Sequence, residues 1–276
     1  MVEIVDGVLK YGDYDGQVVD EGVVNGRFQG LHAGHVSGLI LPALARCRFL
    51  FIGVNQYNPA EMVAPKNEKH AEATHYRRDA NPFSLNERRG MIMAAMDHEG
   101  VPPSMYHVTP FPIEKPHLIS DFVPKEATFF GTIFEDNEDG HGNHKFNTLR
   151  ELGFDVDIFA EGSDSEREVS GSMIRDLMVR KGNWQELLHP GAAKYAWEHR
   201  LDKKLRTLFY IEEMKATRLE REGEEQKKRL QTLVAEASAN LDTEHTTPSL
   251  PAQSKPVFKS SQFIDGVLDI SSLART

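Results

Sequence analysis

Gly26-Arg27-Phe28-Gln29-Gly30-Leu31-His32-Ala33-Gly34-His35 sits between two apolar stretches, and reading it decides the fold. The run Val18 to Asn25 leads into it. His35 to Arg46 leads out, with small and apolar residues at helical spacing. Phe49-Leu50-Phe51-Ile52-Gly53-Val54 follows as a short, continuous apolar run, the pattern of a strand buried on both faces. Strand, loop, helix and strand make a βαβ unit.

Working outward, residues 2–10 and 17–25 are candidate strands separated by the turn residues Gly12-Asp13-Tyr14-Asp15-Gly16. Downstream, Leu85 to His98 predicts a helix, with Ser84 as N-cap and Glu87 three residues on, a capping box. Met105 to Pro112, Ala127 to Phe134 and Asp155 to Phe159 predict strands. Ser170 opens a helix running to about Arg180, with Ser172 or Ser170 as cap, and Trp184 to Leu188 and Ala192 to Arg200 predict short helices. The alternation predicts an α/β fold: an open, mostly parallel Rossmann-like sheet with ligands at the carboxyl ends of its strands. From Leu201 to about Ala237 the chain is dense in Lys, Arg and Glu with sparse apolar residues, the pattern of a long charged helical extension packed on the domain or on a partner chain. Residues 238–262 lack periodicity, and Phe263 to Leu273 is a short apolar tail. The expected organisation is therefore a main domain over 1–200, a helical extension over 201–237, and a linker and tail over 238–276. No internal repeats or sustained heptads stand out.

The 276 residues carry a formal net charge of −10, which argues against general nucleic-acid binding, because phosphate backbones demand a clustered positive surface. The single cysteine, Cys47, cannot form an internal disulfide and reads as a packed residue in a reducing compartment. No basic stretch followed by an apolar run suggests a signal peptide, and no stretch approaches the roughly 20 apolar residues of a membrane span. A cytoplasmic protein without a membrane partner is expected.

The chemistry begins at Gly26 to His35. A glycine closing a strand lets backbone approach a phosphate, and the following helix start offers N–H groups to an anion. His32 and His35, three apart, could donate to phosphate oxygens as charge develops; alone, they could equally be capping histidines. Ser170, Gly171 and Ser172 open a second helix and suit an anion or a plain N-cap; Arg175 lies one turn on.

The ten-residue segment is similar to the Gly-Arg-Phe-Gln-Pro-x-His-x-Gly-His signature of the cytidylyltransferase-like nucleotidyltransferases, and looks closest to the archaeal-type nicotinamide mononucleotide adenylyltransferases. Asn81-Pro82-Phe83-Ser84-Leu85-Asn86-Glu87-Arg88, Val169-Ser170-Gly171-Ser172-Met173-Ile174-Arg175 and Gly182-Asn183-Trp184-Gln185-Glu186-Leu187-Leu188-His189-Pro190 resemble further motifs of that group, in the same order, so the resemblance covers about residues 20–200. It implies His32, His35 and Arg175 as catalytic residues and Gly26, Arg27, Phe28, Gly34, Ser170, Gly171 and Ser172 as nucleotide contacts. It also implies Asn81 and Arg88 as acceptor contacts. The implied reaction is attack of an acceptor phosphate or phosphonate oxygen on the α-phosphorus of a nucleoside triphosphate, with release of pyrophosphate. Magnesium would accompany the triphosphate, with no protein metal ligand expected.

Gly30 departs from the signature's proline and removes a fixed φ. The stretch 55–80, with Lys66, His70, His75, Arg77 and Arg78, reads as a surface insertion or as recognition of a different anionic acceptor. Glu135 to His144 could line the acceptor pocket. Trp184 suits a core position or stacking on a ring. The leading expectation is AMP transfer from ATP to nicotinamide mononucleotide or a related acceptor. The alternative is CMP transfer from CTP to a phosphonate, and a third reading is a nucleotide-sensing scaffold without activity. The apolar residues along the charged helix also suit a homo-oligomer.

Overall fold

The computed structural model describes residues 2–58, 80–134, 141–162 and 169–243. Most of the 55–80 stretch, residues 135–140 of the candidate pocket lining, and the tail from residue 244 lie outside the described residues.

The chain opens with a hairpin, β1 (Glu3–Val5) and β2 (Val8–Lys10), paired antiparallel. The expected single strand over 2–10 is thus corrected. Asp6 and Gly7 both take positive φ (52° and 76°), the geometry of a two-residue hairpin turn, so the run folds back on itself.

Five strands then form one sheet: β3 (Val19–Gly26), β4 (Cys47–Val54), β5 (Tyr106–Pro110), β6 (Thr128–Phe134) and β7 (Val156–Gly162). Their order is β5-β4-β3-β6-β7 and every pairing is parallel. The order reverses between β3 and β6, the topological switch point where open α/β sheets bind ligands. Register sharpens this. β3 pairs with β4 as far as Gly26↔Val54, but with β6 only at Gly22↔Thr128 and Val23↔Phe129. The carboxyl halves of β3 and β6 therefore part, and the crevice opens where Gly26 leads into the histidine motif.

The helices are α1 (Ala33–His35, a π-turn at Val36–Ile40, then Leu41–Leu44), α2 (Leu85–Glu99), α3 (His141–Glu151), α4 (Gly171–Arg180), α5 (Pro190–Glu198) and α6 (Leu201–Thr243). Alternation along the central strand sorts them onto two faces. Val24 packs in one core cluster with Ile40 of α1, Met91 of α2 and Ile174 of α4. Its neighbour Val23 packs in a second with Phe111, Phe129 and, from α3, Phe146 and Leu149. Each fully buried side chain of this size contributes about 1.5–3 kcal/mol of apolar burial.

Local signals hold at α2. Ser84 and Glu87 exchange capping-box hydrogen bonds, and Gly100 ends the helix with left-handed φ. They fail at Trp184 to Leu188, which is a turn rather than the expected helix. Trp184 is buried, Leu188 forms an isolated antiparallel bridge with His32, and the His189 N–H donates to the Leu31 carbonyl at 2.9 Å. Partners distant in sequence take the backbone groups a local helix would need. α5 then starts at Pro190, where a missing N–H costs nothing.

The chain divides into two compact units, Met1–Arg218 and Leu219–Thr276. In the first, α6 is anchored by buried Leu201 and Leu205, and by Arg206, which donates to the Asp202 carboxylate at 2.6 Å and the Met178 carbonyl at 2.8 Å. In the second, the side chains of Leu219, Leu230, Leu233 and Val234 are exposed. Among the described residues no helix is long and apolar enough to cross a membrane. Cys47 is buried, its thiol pushed up to about 12 by burial, and its Sγ donates to the Ala43 carbonyl at 3.2 Å.

Lys204 of α6 donates to both carboxylate oxygens of Glu87, at 2.6 Å to Oε1. Burial works to raise the Glu87 pKa, but the bonds from Lys204 and Ser84 outweigh it, and the group lies below its ordinary value. This contribution is present above the unfolded carboxylate pKa of about 4.3 and lost as pH falls through the lower folded value. Lys204→Met should cost on the order of 1 kcal/mol in urea unfolding at pH 7. The gap to the parent protein should shrink below about pH 4 as Glu87 is protonated; a gap unchanged down to pH 3 would contradict this account.

Candidate active site

The site grows from the carboxyl end of β3. Gly26 accepts a hydrogen bond from the Asn55 N–H at 2.9 Å, and Asn25 Nδ2 donates to Asn55 Oδ1 at 3.1 Å, so the ends of β3 and β4 are tied. A Cβ on Gly26 would lie 2.9 Å from the Phe28 ring. The glycine thus makes room for buried Phe28, which takes a left-handed φ of 49°.

Gln29 fastens the loop. Its side-chain amide donates to the Phe83 carbonyl at 3.1 Å and accepts the Phe83 N–H at 3.0 Å, as a strand neighbour would. Its backbone carbonyl accepts from Arg175 Nη1 at 2.7 Å. One residue thus joins the β3 loop, the segment before α2 and the start of α4. Sequence reasoning gave Gln29 no role, although its place inside the motif was the available signal.

His32 is the N-cap of α1 and His35 closes its first turn; the His35 N–H donates to the His32 carbonyl at 3.1 Å. Their rings lie 3.9 Å apart between centroids, and His35 meets the Phe28 ring edge-on at 5.3 Å. Both histidines are half-buried. Gly34 is exposed, and a Cβ there would sit 3.1 Å from His32 Nδ1, so glycine gives the His32 ring its clearance. Behind them, buried His189 hydrogen-bonds Glu99 Oε1 through Nε2 at 2.8 Å.

The second half is the start of α4. Ser170 caps it, Oγ accepting from the Met173 N–H at 3.3 Å and lying 2.9 Å from Ser172 Oγ. Arg175, one turn in, is nine-tenths buried. Gly30 and Gly171 are where the two halves touch. Gly30 has φ +119°, which no proline ring permits, and a Cβ there would lie 3.4 Å from Gly171 Cα. A Cβ on Gly171 would lie 2.9 Å from the Gln29 carbonyl oxygen and 3.2 Å from Arg175 Nη1. Gly171→Ala should therefore push α4 off the loop, at about 1–3 kcal/mol of stability. The KM for triphosphate should rise with it, and unchanged stability and KM would show that the contact yields freely.

Arg88 is fully buried and points inward. Its guanidinium donates to the carbonyls of Arg27 at 2.7 Å, Asn55 at 2.6 Å, Gln56 at 2.9 Å and Ser84 at 3.4 Å. Burial, with the nearby Arg27 charge, pulls its pKa down to about 10, so it stays a cation at neutral pH. These four bonds bind the ends of β3 and β4 to the start of α2, which gives Arg88 a positioning role beside the acceptor contact expected of it. Burial also lowers the pKa of Arg27, which is half-buried. Asn81 is buried two residues before Phe83, and Trp184 is a core residue. Among the described residues no group of three or more His, Cys, Asp or Glu is placed to share a metal ion.

The arrangement brings His32, His35, the Ser170 cap and Arg175 to one end of the sheet, across the Gly30–Gly171 contact and beside the crevice between β3 and β6. Two helix starts and a cluster of donors at a switch point suit a polyphosphate.

No family model matches the chain. It is 28% identical over 190 residues to the phosphonoformate cytidylyltransferase of Streptomyces viridochromogenes, covering 69% of this chain and 97% of that one. It is 26% identical over 195 residues to the nicotinamide-nucleotide adenylyltransferase of Saccharolobus solfataricus, again covering 69% and 97%. The same-named enzyme of Pyrococcus furiosus is 27% identical over 194 residues, covering 68% and 88%. Among solved structures, a bifunctional NMN adenylyltransferase/ADP ribose pyrophosphatase from Francisella tularensis aligns with a TM-score of 0.48 at 17% identity. That alignment covers 74% of this chain, which spans only 57% of the other.

Proposed function

The chain belongs to the nucleotidyltransferase superfamily, and on that premise we propose that it is a cytoplasmic enzyme moving a nucleoside monophosphate group from a magnesium–nucleoside triphosphate to a small phosphate- or phosphonate-bearing acceptor. The observation that carries this reading is the junction at Gly30 and Gly171, held by the Arg175–Gln29 hydrogen bond, which sets the histidine loop against the start of α4. An acceptor oxygen forms a bond to the α-phosphorus in line with the departing pyrophosphate, whose bridging P–O bond breaks with its electron pair. The acceptor is already an anion at neutral pH, so no strong base is required, and the protein aligns the reactants and neutralises charge. His32 and His35 donate to triphosphate oxygens, Ser170 to Ser172 receive the β- and γ-phosphates, and Arg175 adds charge-assisted bonds. Magnesium carried by the triphosphate would neutralise part of its charge, with no residue of this chain assigned to hold it.

For donor and acceptor, the first reading is ATP with nicotinamide mononucleotide, in keeping with the archaeal relatives. The second, CTP with a phosphonate such as phosphonoformate, is in keeping with the Streptomyces relative, and at φ +119° Gly30 gives the loop a path that the signature's proline could not follow. Incubation with magnesium, ATP or CTP, and nicotinamide mononucleotide or phosphonoformate separates them by pyrophosphate release. NAD formed from ATP establishes the first, release only with CTP and phosphonoformate establishes the second, and no release from a broad acceptor panel overturns both.

The exposed Leu219, Leu230, Leu233 and Val234 support the homo-oligomer as part of this reading. Leu230→Glu with Leu233→Glu should halve the sedimentation mass or reduce it further; a parent protein that sediments as a monomer would remove the oligomer.

A further inference from the structure

One half-buried cation has no part in that mechanism. Lys145 lies on α3, the helix that follows β6, and its ammonium sits 4.3 Å above the centre of the Phe146 ring. Phe146 packs directly on β6, since a Cβ on Gly131 would lie 2.0 Å from its ring. Gly131 is two residues beyond Phe129, the last residue of β6 paired with β3. Lys145 is therefore held beside β6, at the level where the pairing of β6 with β3 has ended.

Its electrostatics are those of an incomplete pair. Among the described residues Lys145 makes no salt bridge. The strands packed on α3 are β6, which carries no ionisable residue, and β7, whose charged residues are Asp157 and Glu161; Arg150 and Glu151 lie further along α3 itself. Burial alone lowers the amine to about 8, with no charged neighbour contributing. Among the described residues the half-buried ammonium has no counterion, and an anion at this place would offset the cost of its burial.

The face of the sheet identifies the anion. Phe146 belongs to the core cluster of Val23, whereas α1 and α4, which carry the histidines, Ser170 and Arg175, belong to the cluster of Val24. An anion at Lys145 thus stands across the crevice from the triphosphate donors. We propose that Lys145 is the cation that binds the anionic group of the acceptor, from the side of the β3–β6 crevice opposite the two histidines. The inference rests on the nucleotidyltransferase reading and adds an acceptor-binding residue to it.

The test pairs kinetics with direct binding. Lys145→Met keeps the length and apolar stem of the side chain and removes its charge. It should raise the KM for whichever acceptor, phosphonoformate or nicotinamide mononucleotide, is turned over by about 10- to 100-fold, while the KM for CTP or ATP stays within about twofold. Lys145→Arg should keep acceptor affinity above pH 9, where the parent protein loses it as the amine deprotonates. An unchanged acceptor KM in Lys145→Met, or equal rises for both substrates, would overturn the assignment. If the parent protein releases no pyrophosphate with either acceptor, the nucleotidyltransferase reading fails separately, and NMR then decides on Lys145. In protein reductively methylated with carbon-13, the Lys145 signal is the one missing from Lys145→Met. Its titration near pH 8 should move upward on adding phosphonoformate or inorganic phosphate, and no movement at saturation would rule the site out.

Discussion

His35→Ala should leave a folded protein whose kcat is lower by about 10²- to 10³-fold, the usual effect of removing one transition-state donor. The fold survives because His35 is half-buried at the end of the first turn, while Val36, Ile40 and Leu41 hold α1 to the core. Alanine is also a better helix former than histidine. The loss should fall on kcat more than on the triphosphate KM, because the donor matters most when charge builds on the phosphoryl oxygens. Its ring lies 3.9 Å from that of His32, so in the proposed mechanism the two share one ligand group, and removing both should cost less than the product of the single losses. Single-turnover pyrophosphate release, with circular dichroism as the folding control, reads the result. Near-normal turnover in a folded variant would remove His35 from the mechanism.

What sequence could reveal follows from where each signal lies. The strand before Gly26, the cap at Ser84 with Glu87 and the cap at Ser170 are local: a few neighbouring residues decide them, and the structure has all three. The β1–β2 hairpin was equally local, and Asp6-Gly7 was the overlooked signal. The turn at Trp184 to Leu188 was not legible, because its backbone partners are Leu31 and His32, about 155 residues earlier. Within the site, sequence named the histidines and Arg88, but not the backbone groups that Arg88 and Gln29 hold. Gln29 and Arg88 act on backbone carbonyls and N–H groups, which every residue possesses and no sequence pattern marks. Lys145 escaped notice for a related reason: the parting of β3 and β6 appears only in the register.

Arg88 supplies the largest expected loss of stability. Arg88→Met should destabilise the protein by about 3–5 kcal/mol, the range for breaking a buried charged network. For a chain of this size that is a fall in Tm of about 10 °C. Four carbonyls converge on one planar fork, three of them within 2.9 Å. Methionine fills much of the volume but donates nothing, so the carbonyls of Arg27, Asn55 and Gln56 would face one another without a hydrogen. Arg88→Lys keeps the charge but not the fork, and should lose an intermediate amount. The pattern also separates the two roles open to this residue. An arginine that bound the acceptor directly would, on removal, raise the acceptor KM and leave Tm unchanged. An arginine turned inward should lower Tm first, and raise the KM for both substrates together, because Arg27 begins the histidine loop and Asn55 and Gln56 lie at the end of β4 beside it. A stable Arg88→Met variant impaired only for acceptor would return Arg88 to the substrate and overturn the positioning role.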